Sequence, residues 1–464
     1  MNKLLCDVLI IGAGPGGLSA AKSASKSGAS SVIVLERDTK PGGILNQCIH
    51  DGFGLIRYGR ALTGPEYAAL ALKEAEDSGA EVLTGHHVTG MTKGREVTAC
   101  TRGGIKTYCA GTVILATGCR ERTRGAISIP GDRPAGVFTA GVVQNLVNIR
   151  NIMPGKRVVI LGSGDIGLIM ARRLTLEGAD VLAVAEIMPE PCGLARNVSQ
   201  CLYEFGIPLY VSTTVTRIIG KKKLEAVELS SVDENMKPIP GTQRIAECDS
   251  LVLSVGLIPE NEIAKGAGIS LNPDNSMKTD KFLQTSIQGI FSCGNSRHVM
   301  DLADYVSEQG ELAGINAVKY MRGEDMLTWD EEKTNCMKKG FPEKDTITCT
   351  VCPNGCQIKC VSGTYSGYKC RRGLDFAVQE MTDPRRVVTT TMLTGDGELM
   401  PVRTAGTVRK SEVMETIRRI RGMKYSEEMA DIFCGTGKYS ASTGMRQGLL
   451  GLCSVYYLFC MDSS

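Results

Sequence analysis

The sequence predicts an α/β fold with two Rossmann-like domains and a small cysteine-rich C-terminal domain. Three observations carry that expectation. A hydrophobic strand runs into a glycine loop and a helix of small residues at 7–21, DVLIIGAGPGGLSAA. The same unit recurs at 156–186, KRVVILGSGDIGLIMARRLTLEGADVLAVAE. Near the end, TCTVCPNGCQIKC at 348–360 is followed by another cysteine, Cys370. A chain of 464 residues is also too long for one hydrophobic core.

In the first unit the spacing Gly12-x-Gly14-x-x-Gly17 follows a strand and opens a helix. About twenty residues on, the strand SVIVLE ends in Glu36. Gly12 permits a tight turn, Gly14 lets backbone N–H groups approach a pyrophosphate, and Gly17 lets helix and strand pack closely. The helix N-terminus adds positive potential, and Glu36 can accept a hydrogen bond from a ribose hydroxyl. The second unit repeats this with Gly162, Gly164, Gly167 and Glu186. Two such loops suggest two dinucleotides, FAD in the first and a nicotinamide in the second. Glu186 would repel a 2′-phosphate and accept from a free 2′-hydroxyl, which favours NAD(H) over NADP(H). The neighbouring pair Arg172–Arg173 reads as a solvated helix face.

Composition limits the partners. The formal net charge of +3 and 22% charged residues give no reason to expect nucleic acid or an anionic membrane. The first apolar stretch is interrupted by Asp7 and runs straight into a glycine loop, unlike a cleaved leader. The longest apolar run, 448–460, is too short to cross a bilayer, so no transmembrane segment is expected. A cytoplasmic location follows. There thiols stay reduced, which argues against a disulfide scaffold for the 18 cysteines.

Beyond the two loops, TVILATG at 112–118, SLVLSVGLIPEN at 250–261 and GIFSCGNSRH at 289–298 extend the pattern. Over roughly 5–325 the chain resembles the two-dinucleotide-binding flavoproteins, the pyridine nucleotide–disulfide oxidoreductase superfamily. The resemblance implies a discontinuous FAD domain at 1–125 and 280–325, with an NAD(P) domain inserted at 126–279. It implies cofactor contacts at Gly43, Ala116, Thr117, Gly118, Gly256, Gly294 and Asn295, the last standing where the family has an acid. A helix beginning near Val306–Gly310 would point its N-terminus at the flavin. The nicotinamide would pass hydride from its C4 to flavin N5. Homodimers are common in the superfamily, and the resemblance admits one here.

The redox cysteine pairs of disulfide reductases do not fit this chain. Cys48 stands alone where a C-x4-C is expected, and Cys192 and Cys201 lack the C-x2-C spacing. Cys48 with His50 reads either as an acid/base or nucleophile pair near the flavin, or as a small core thiol and a loop histidine. His86 and His87 have no metal-ligand spacing, and His298 follows the second FAD motif. The stretch GGILNQCIHDGFGLIRYGRALTGPEYA resembles flavoproteins encoded beside FAD-dependent glycerol-3-phosphate dehydrogenases. More distantly it resembles subunits of sarcosine, opine and hydroxyproline dehydrogenases. That likeness implies a partner dehydrogenase subunit or an electron carrier.

Polar sequence at 326–346 reads as a linker, and 347–464 as the cysteine-rich domain. Cys349, Cys352, Cys356 and Cys370 have spacing for a [4Fe–4S] cluster, with zinc and unliganded thiols as alternatives. Cys360 falls outside the set. The arrangement resembles the small cluster domain of molybdopterin oxidoreductases, and a cysteine-rich domain of unassigned function. Val413, Met414, Ile417 and Ile420 have helical spacing behind an expected Ser411 cap. No role is read into the residues after about 425.

The expected function is an FAD-dependent oxidoreductase that exchanges hydride with NAD(H) and passes electrons through the cluster to or from a partner dehydrogenase. Two alternatives stand beside it. One is an FAD subunit that itself oxidises an amino or hydroxy acid, and the other a non-enzymatic redox-sensing protein with structural zinc.

Overall fold

A computed structural model describes residues 3–331, 337, 339–394, 397–423 and 456–458. Over these residues the chain forms two compact units. One comprises residues 3–120 with 257–331, and the other 121–256 with the described residues from 337 on.

The first unit is built on a mixed sheet. Its parallel half runs Glu81–Leu83, Val32–Leu35, Lys3–Ile11 and Gly104–Leu115, with Ile290–Ser292 on the far side of the last. Val8, Leu9 and Ile10 are fully buried. A strand covered on both faces needs this continuous apolar run rather than an alternating one. Val8 and Ile10 face one core, Leu9 and Ile11 the other. Gly104–Leu115 is long enough to continue into an antiparallel meander with Glu96–Thr101 and His87–Met91.

The helix Pro15–Lys26 starts with proline, whose missing N–H costs nothing in the first turn. Its buried face carries Gly16, Ser19, Ala20 and Ser23, and these small side chains admit the helix Ala303–Arg322 at close range. A Cβ on Gly310 would collide with the Gly16 carbonyl, and one on Gly314 with that of Ala20. The helix Gly64–Asp77 begins with a capping box. Thr63 N–H donates to Glu66 Oε2 at 2.7 Å, and Glu66 N–H donates to Thr63 Oγ1 at 3.4 Å.

The second unit holds a fully parallel sheet ordered Leu209–Tyr210, Asp180–Ala185, Arg157–Leu161, Ser250–Leu253, Val137–Thr139. An antiparallel sheet of Thr213–Ile219, Ala226–Ser231 and Arg244–Glu247 accompanies it. In its C-terminal part, Ile347–Thr348, Gln357–Val361 and the helix Arg371–Thr382 enclose Cys349, Cys356, Ile358 and Ala377. Beyond them Thr389–Leu393 pairs with Leu399–Thr404, and the helix Val413–Gly422 covers both. Their core includes Leu176 from the helix Asp165–Leu176. The C-terminal residues are thus packed onto the second parallel sheet's own helix.

Several expectations change. Arg173 is not on a solvated face. It is 6% exposed, donates to Asn148 Oδ1 at 2.9 Å and Thr390 Oγ1 at 3.3 Å, and pairs with Glu177 at 2.6 Å. The covering strand Thr389–Leu393 lies more than two hundred residues away, so no local pattern announces it. The helix expected to start near Val306–Gly310 starts at Ala303, behind a Leu302 that offers no capping side chain. Ser411 is not a cap; it lies in a 3-10 turn, Lys410–Glu412, and the helix begins at Val413. Val413, Ile417 and Ile420 are buried, but Met414 is exposed. In the stretch read as a linker, Trp329 packs into the first unit's core, while 332–336 and 338 lie outside the described residues. Residues 257–279, assigned by resemblance to the second domain, contribute Ala264, Ile269 and Met277 to the first unit's core. Apart from 456–458, the segment after 423 lies outside the described residues.

Candidate functional site

The first glycine loop is held from both sides. Gly12 has φ 104°, a left-handed conformation that side chains rarely adopt. Its N–H donates to Leu35 O at 2.8 Å, and Ala116 N–H donates to Ile11 O at 2.9 Å. A Cβ on Gly12 would collide with the Ala116 carbonyl, and one on Gly17 with that of Gly12. Gly14, by contrast, faces open space. Glu36 is 6% exposed. Its Oε2 accepts from Ala13 N–H and its Oε1 from Asp38 N–H, both at 2.9 Å. The acid is fixed on the loop it faces.

Gly42 N–H donates to Ala13 O at 2.8 Å, and a Cβ on Gly43 would lie 3.2 Å from Gly14 Cα. The Gly42–Gly43 turn therefore lies against the loop. Thr117 Oγ1 donates to Glu260 O at 2.8 Å, and Gly118 faces open space. Gly294 N–H donates to Gln309 Oε1 at 2.7 Å, both residues buried. Asn295 is half-buried and already engaged, accepting from Met300 N–H at 3.1 Å and facing Cys119 Sγ at 3.5 Å. These residues fit the adenine-linked end of FAD, since the unfilled face at Gly14 lies beside a helix start and a fixed acid.

Cys48 ends the 3-10 turn Gly43–Gln47 and is buried, its thiol 3.3 Å from Ile44 O. His50 is half-buried, with Nδ1 3.2 Å from Asp51 O and its ring 4.9 Å from that of Phe53. Each of the two thus engages a nearby backbone carbonyl. His298 is exposed. His86 is buried with Nδ1 2.8 Å from Thr84 O.

Two features here escape sequence reasoning. Asp304, in the first turn of the helix Ala303–Arg322, is buried and accepts from Arg57 N–H at 3.1 Å. Burial raises its carboxyl above the usual range, against the pull of the Arg57, Gly54 and Ile56 N–H groups. Arg57 itself donates to Glu74 at 2.9 Å and Glu311 at 2.8 Å, and Lys22 reaches Glu74 at 2.9 Å. Burial, the largest effect on Arg57, disfavours its charge, but Tyr58, Glu311 and Glu74 together outweigh it. The network ties the 51–62 loop to three helices. Its only sequence signal is charges inside otherwise apolar helical stripes.

The second loop reproduces the first. Gly162 has φ 101°, and its N–H donates to Ala185 O at 2.7 Å. A Cβ placed on Gly164 would meet only Ser254 Oγ, at 3.8 Å, so this face is nearly open. Gly167 has no room for a Cβ beside the Gly162 carbonyl, and Gly256 lies beside Arg122. Glu186 is 4% exposed. Its Oε2 accepts from Ser163 N–H at 2.8 Å and Ser163 Oγ at 2.6 Å, and its Oε1 from Met188 N–H at 3.0 Å. Cys201 lies in the core, where burial pushes its thiol up to about 12. Cys192 lies at the surface, yet partial desolvation of its sulfur, followed by the Glu186 carboxylate, raises its thiol. Neither position suggests a redox pair.

At the C-terminal end, Cys349 and Cys356 are buried, Cys352 half-buried and Cys370 exposed. Cys349 N–H donates to Cys356 O at 2.8 Å, and Cys370 precedes the helix Arg371–Thr382. Burial pushes the Cys349 thiol up to about 11; the Val351 N–H opposes this, and the thiols of Cys352, Cys356 and Cys370 add to it. These four are neighbours, whereas Cys360 interacts with Tyr365. Even so, no group of three or more His, Cys, Asp and Glu side chains among the described residues is arranged to hold a metal ion. No helix among them is long and apolar enough to cross a membrane.

Two acid-clamped glycine loops in one chain have a counterpart among known families. Residues 6–310 match the family described as pyridine nucleotide-disulphide oxidoreductase. The chain belongs to that family. As a member it is an FAD-dependent NAD(P)H oxidoreductase, an assignment its relatives support. A thioredoxin reductase of Listeria innocua is 28% identical over 68% of this chain and 93% of its own length. An opine oxidase subunit from Rhizobium meliloti is 29% identical over 67% of this chain and 62% of its own. The crystal structure of T. acidophilum thioredoxin reductase matches with TM-score 0.58 and 24% identity, over 69% of this chain and 99% of that one. At that identity the likeness shows the fold. A second match, residues 371–432, is to a protein of unknown function (DUF1667). Unlike the family's name, this member presents no disulfide among its described cysteines.

Proposed function

We propose that the chain takes hydride from NADH onto a bound FAD, or returns it, and exchanges the electrons with a partner dehydrogenase or carrier. The observation that carries this reading is the pair of loops, each fixed by one buried glutamate accepting from the loop's own backbone. FAD supplies the chemistry, accepting two electrons together and releasing them singly. In the proposed site the open face at Gly14 takes the pyrophosphate of FAD, Glu36 takes its ribose, and Gly43 closes over it. Ala116, Thr117, Gly118, Gly294 and Asn295 border the same cofactor. Gly162, Gly164, Gly167 and Gly256 do the same for the nicotinamide dinucleotide. Glu186 supports NADH, since a 2′-phosphate would meet a buried carboxylate. Cys48 and His50 each engage a neighbouring backbone carbonyl.

A partner is supported by the opine oxidase relatives, which are themselves subunits. The sequence likeness points to a partner such as an FAD-dependent glycerol-3-phosphate dehydrogenase. Cys349, Cys352, Cys356 and Cys370 are proposed to hold a [4Fe–4S] cluster, with zinc as the alternative. The electrostatic effect of Cys352, Cys356 and Cys370 on the Cys349 thiol supports the grouping. Among the described residues these side chains are not in a ligating arrangement.

The test is oxygen-free purification followed by FAD, iron, zinc and acid-labile sulfide analysis, then stopped-flow mixing with NADH. FAD that bleaches within the mixing experiment supports the hydride reading. Flavin that stays oxidised with NADH but bleaches with an amino or hydroxy acid overturns it. Protein with FAD but neither iron nor sulfide removes the cluster.

A further inference from the structure

The first turns of the helix Ala303–Arg322 gather the parts around the first glycine loop. Gly310 packs on the Gly16 carbonyl with no room for a Cβ. About one turn nearer the helix start, Ser307 Oγ donates to Pro15 O at 3.4 Å and accepts from Tyr67 OH at 2.8 Å. About one turn nearer again, buried Asp304 accepts from Arg57 N–H at 3.1 Å, and the Gly54 and Ile56 N–H groups converge on the same carboxyl. Three residues span about 4.5 Å of helix axis. The 54–57 turn is thus held about one helical turn beyond Pro15, the residue after the open face at Gly14. The segment that carries this turn is itself rooted on the loop. Gly42 N–H donates to Ala13 O, and Gly64 N–H returns to Cys48 O, both at 2.8 Å. Between these roots Phe53 and Leu62 exchange backbone hydrogen bonds at 3.0 and 2.8 Å. In the turn itself Ile56 is 53% exposed, an apolar group left uncovered beside the cradle.

We propose that Asp304 is a positioning residue for the flavin, holding the 54–57 turn over the mouth of the first loop so that Ile56 covers the bound ring system. This rests on the reading that the first loop holds the FAD. A carboxylate suits the task because its two oxygens accept from several backbone N–H groups at once, and an alkyl side chain accepts from none. Arg57 adds a second hold through its side chain, which donates to Glu74 and Glu311. The turn is therefore fixed at its backbone by Asp304 and at its side chain by two other carboxylates. Without Asp304 the side-chain hold remains, so the FAD still binds but leaves faster.

The experiment uses the full FAD-loaded chain. Release of FAD into flavin-free buffer is followed by flavin fluorescence, and hydrogen exchange of the 54–57 amides by mass spectrometry. Asp304→Ala is expected to quicken exchange at 54–57 and to release FAD roughly tenfold faster. Asp304→Asn keeps one accepting oxygen and should restore release to within roughly threefold of the wild type. The visible circular dichroism of flavin still bound should change in the alanine variant and return in the asparagine variant, which a loss of stability alone would not produce. FAD release at the wild-type rate in a variant whose 54–57 exchange has quickened overturns the proposal, as does unchanged exchange in both variants. Should Asp304→Ala not fold, Asp304→Asn decides by the same comparison. Gly12→Ala is run beside them. If that chain keeps its FAD, the first-loop reading fails, whereas loss of FAD in Gly12→Ala with unchanged release in Asp304→Ala refutes the role of Asp304 alone.

Discussion

Replacing Glu186 with glutamine tests the second loop with little change of shape. The carboxylate accepts three hydrogen bonds, two from Ser163 on one oxygen and one from Met188 N–H on the other. An amide keeps one accepting oxygen and turns an NH₂ group toward a donor. If the oxygen stays with Ser163, Met188 N–H loses its acceptor. A buried donor left unpaired costs about 1–3 kcal/mol, and Met188 is exposed enough to place its N–H at the low end. The ribose hydroxyl also exchanges a charged acceptor for a neutral one, which weakens that bond further. Together these amount to about 1.4 kcal/mol, or a tenfold weaker hold on NADH. Loss of the charge acts in the opposite direction on NADPH, whose 2′-phosphate no longer faces an anion. The assay is the rate of anaerobic flavin bleaching against the concentration of each nucleotide. Half-saturation by NADH should rise roughly tenfold, the NADPH-to-NADH ratio should move toward NADPH, and FAD content should stay as in the wild type, since Glu36 holds the other loop. An unchanged NADH half-saturation with an unchanged ratio would refute the reasoning that Glu186 faces the ribose.

Gly12→Ala should yield protein lacking flavin, because the new methyl group meets the Ala116 carbonyl at a left-handed backbone position; the flavin-to-protein absorbance ratio of the purified chain checks this. Gly310→Ala should destabilise the first unit by about 1–3 kcal/mol by pressing on the Gly16 carbonyl, and a thermal melt of the holoprotein lower by several degrees would register it. Burial raises the Cys201 thiol from 9.0 to about 12, so at pH 8 far less of it is thiolate than of an unburied cysteine. Iodoacetamide applied to native protein at that pH should label exposed Cys192 and spare Cys201, and mass spectrometry finding both labelled at similar rates would contradict the buried placement. Arg173→Met should destabilise the second unit by roughly 3 kcal/mol in urea denaturation, because removing one partner leaves the Glu177 and Asn148 groups short of a donor.

The parts of this fold that can be read from the sequence are those whose causes are local. The runs Val8–Ile11 and Val158–Leu161 are apolar without alternation because both faces are covered. The glycine spacings and both closing acids lie within about thirty residues of each other, and both acids turn out to clamp the loop before them. What stays hidden depends on distant segments. Gln309 is an ordinary helix residue until Gly294 meets it, and Asp304 until the Arg57 loop does. The start of that helix at Ala303 is not legible because Leu302 carries none of the side chains that mark a cap. Lys339 sits in a polar stretch that reads as a linker, and only its bridge to Leu194 gives it a place.

Arg173 links these considerations to the role of the C-terminal residues. Burial pulls its guanidinium down to about 10, Glu177 resists, and Arg421 and Arg172 add to the fall. Such a group is costly unless its partners are in place. Here Asn148 and Glu177 come from the second parallel sheet's own helices, whereas Thr390 and the Arg421 that also pairs with Glu177 come from the C-terminal part. Leu176 shares a core with Val388, Met392 and Ile417, and Glu204 receives both Arg386 and Lys410. Ion pairs and apolar contacts thus cover the same helix at once. A flexibly tethered module would need neither a buried arginine nor a shared core. Residues 386–421 are therefore carried by the helix that follows the second glycine loop, and they share one compact unit with the four cysteines.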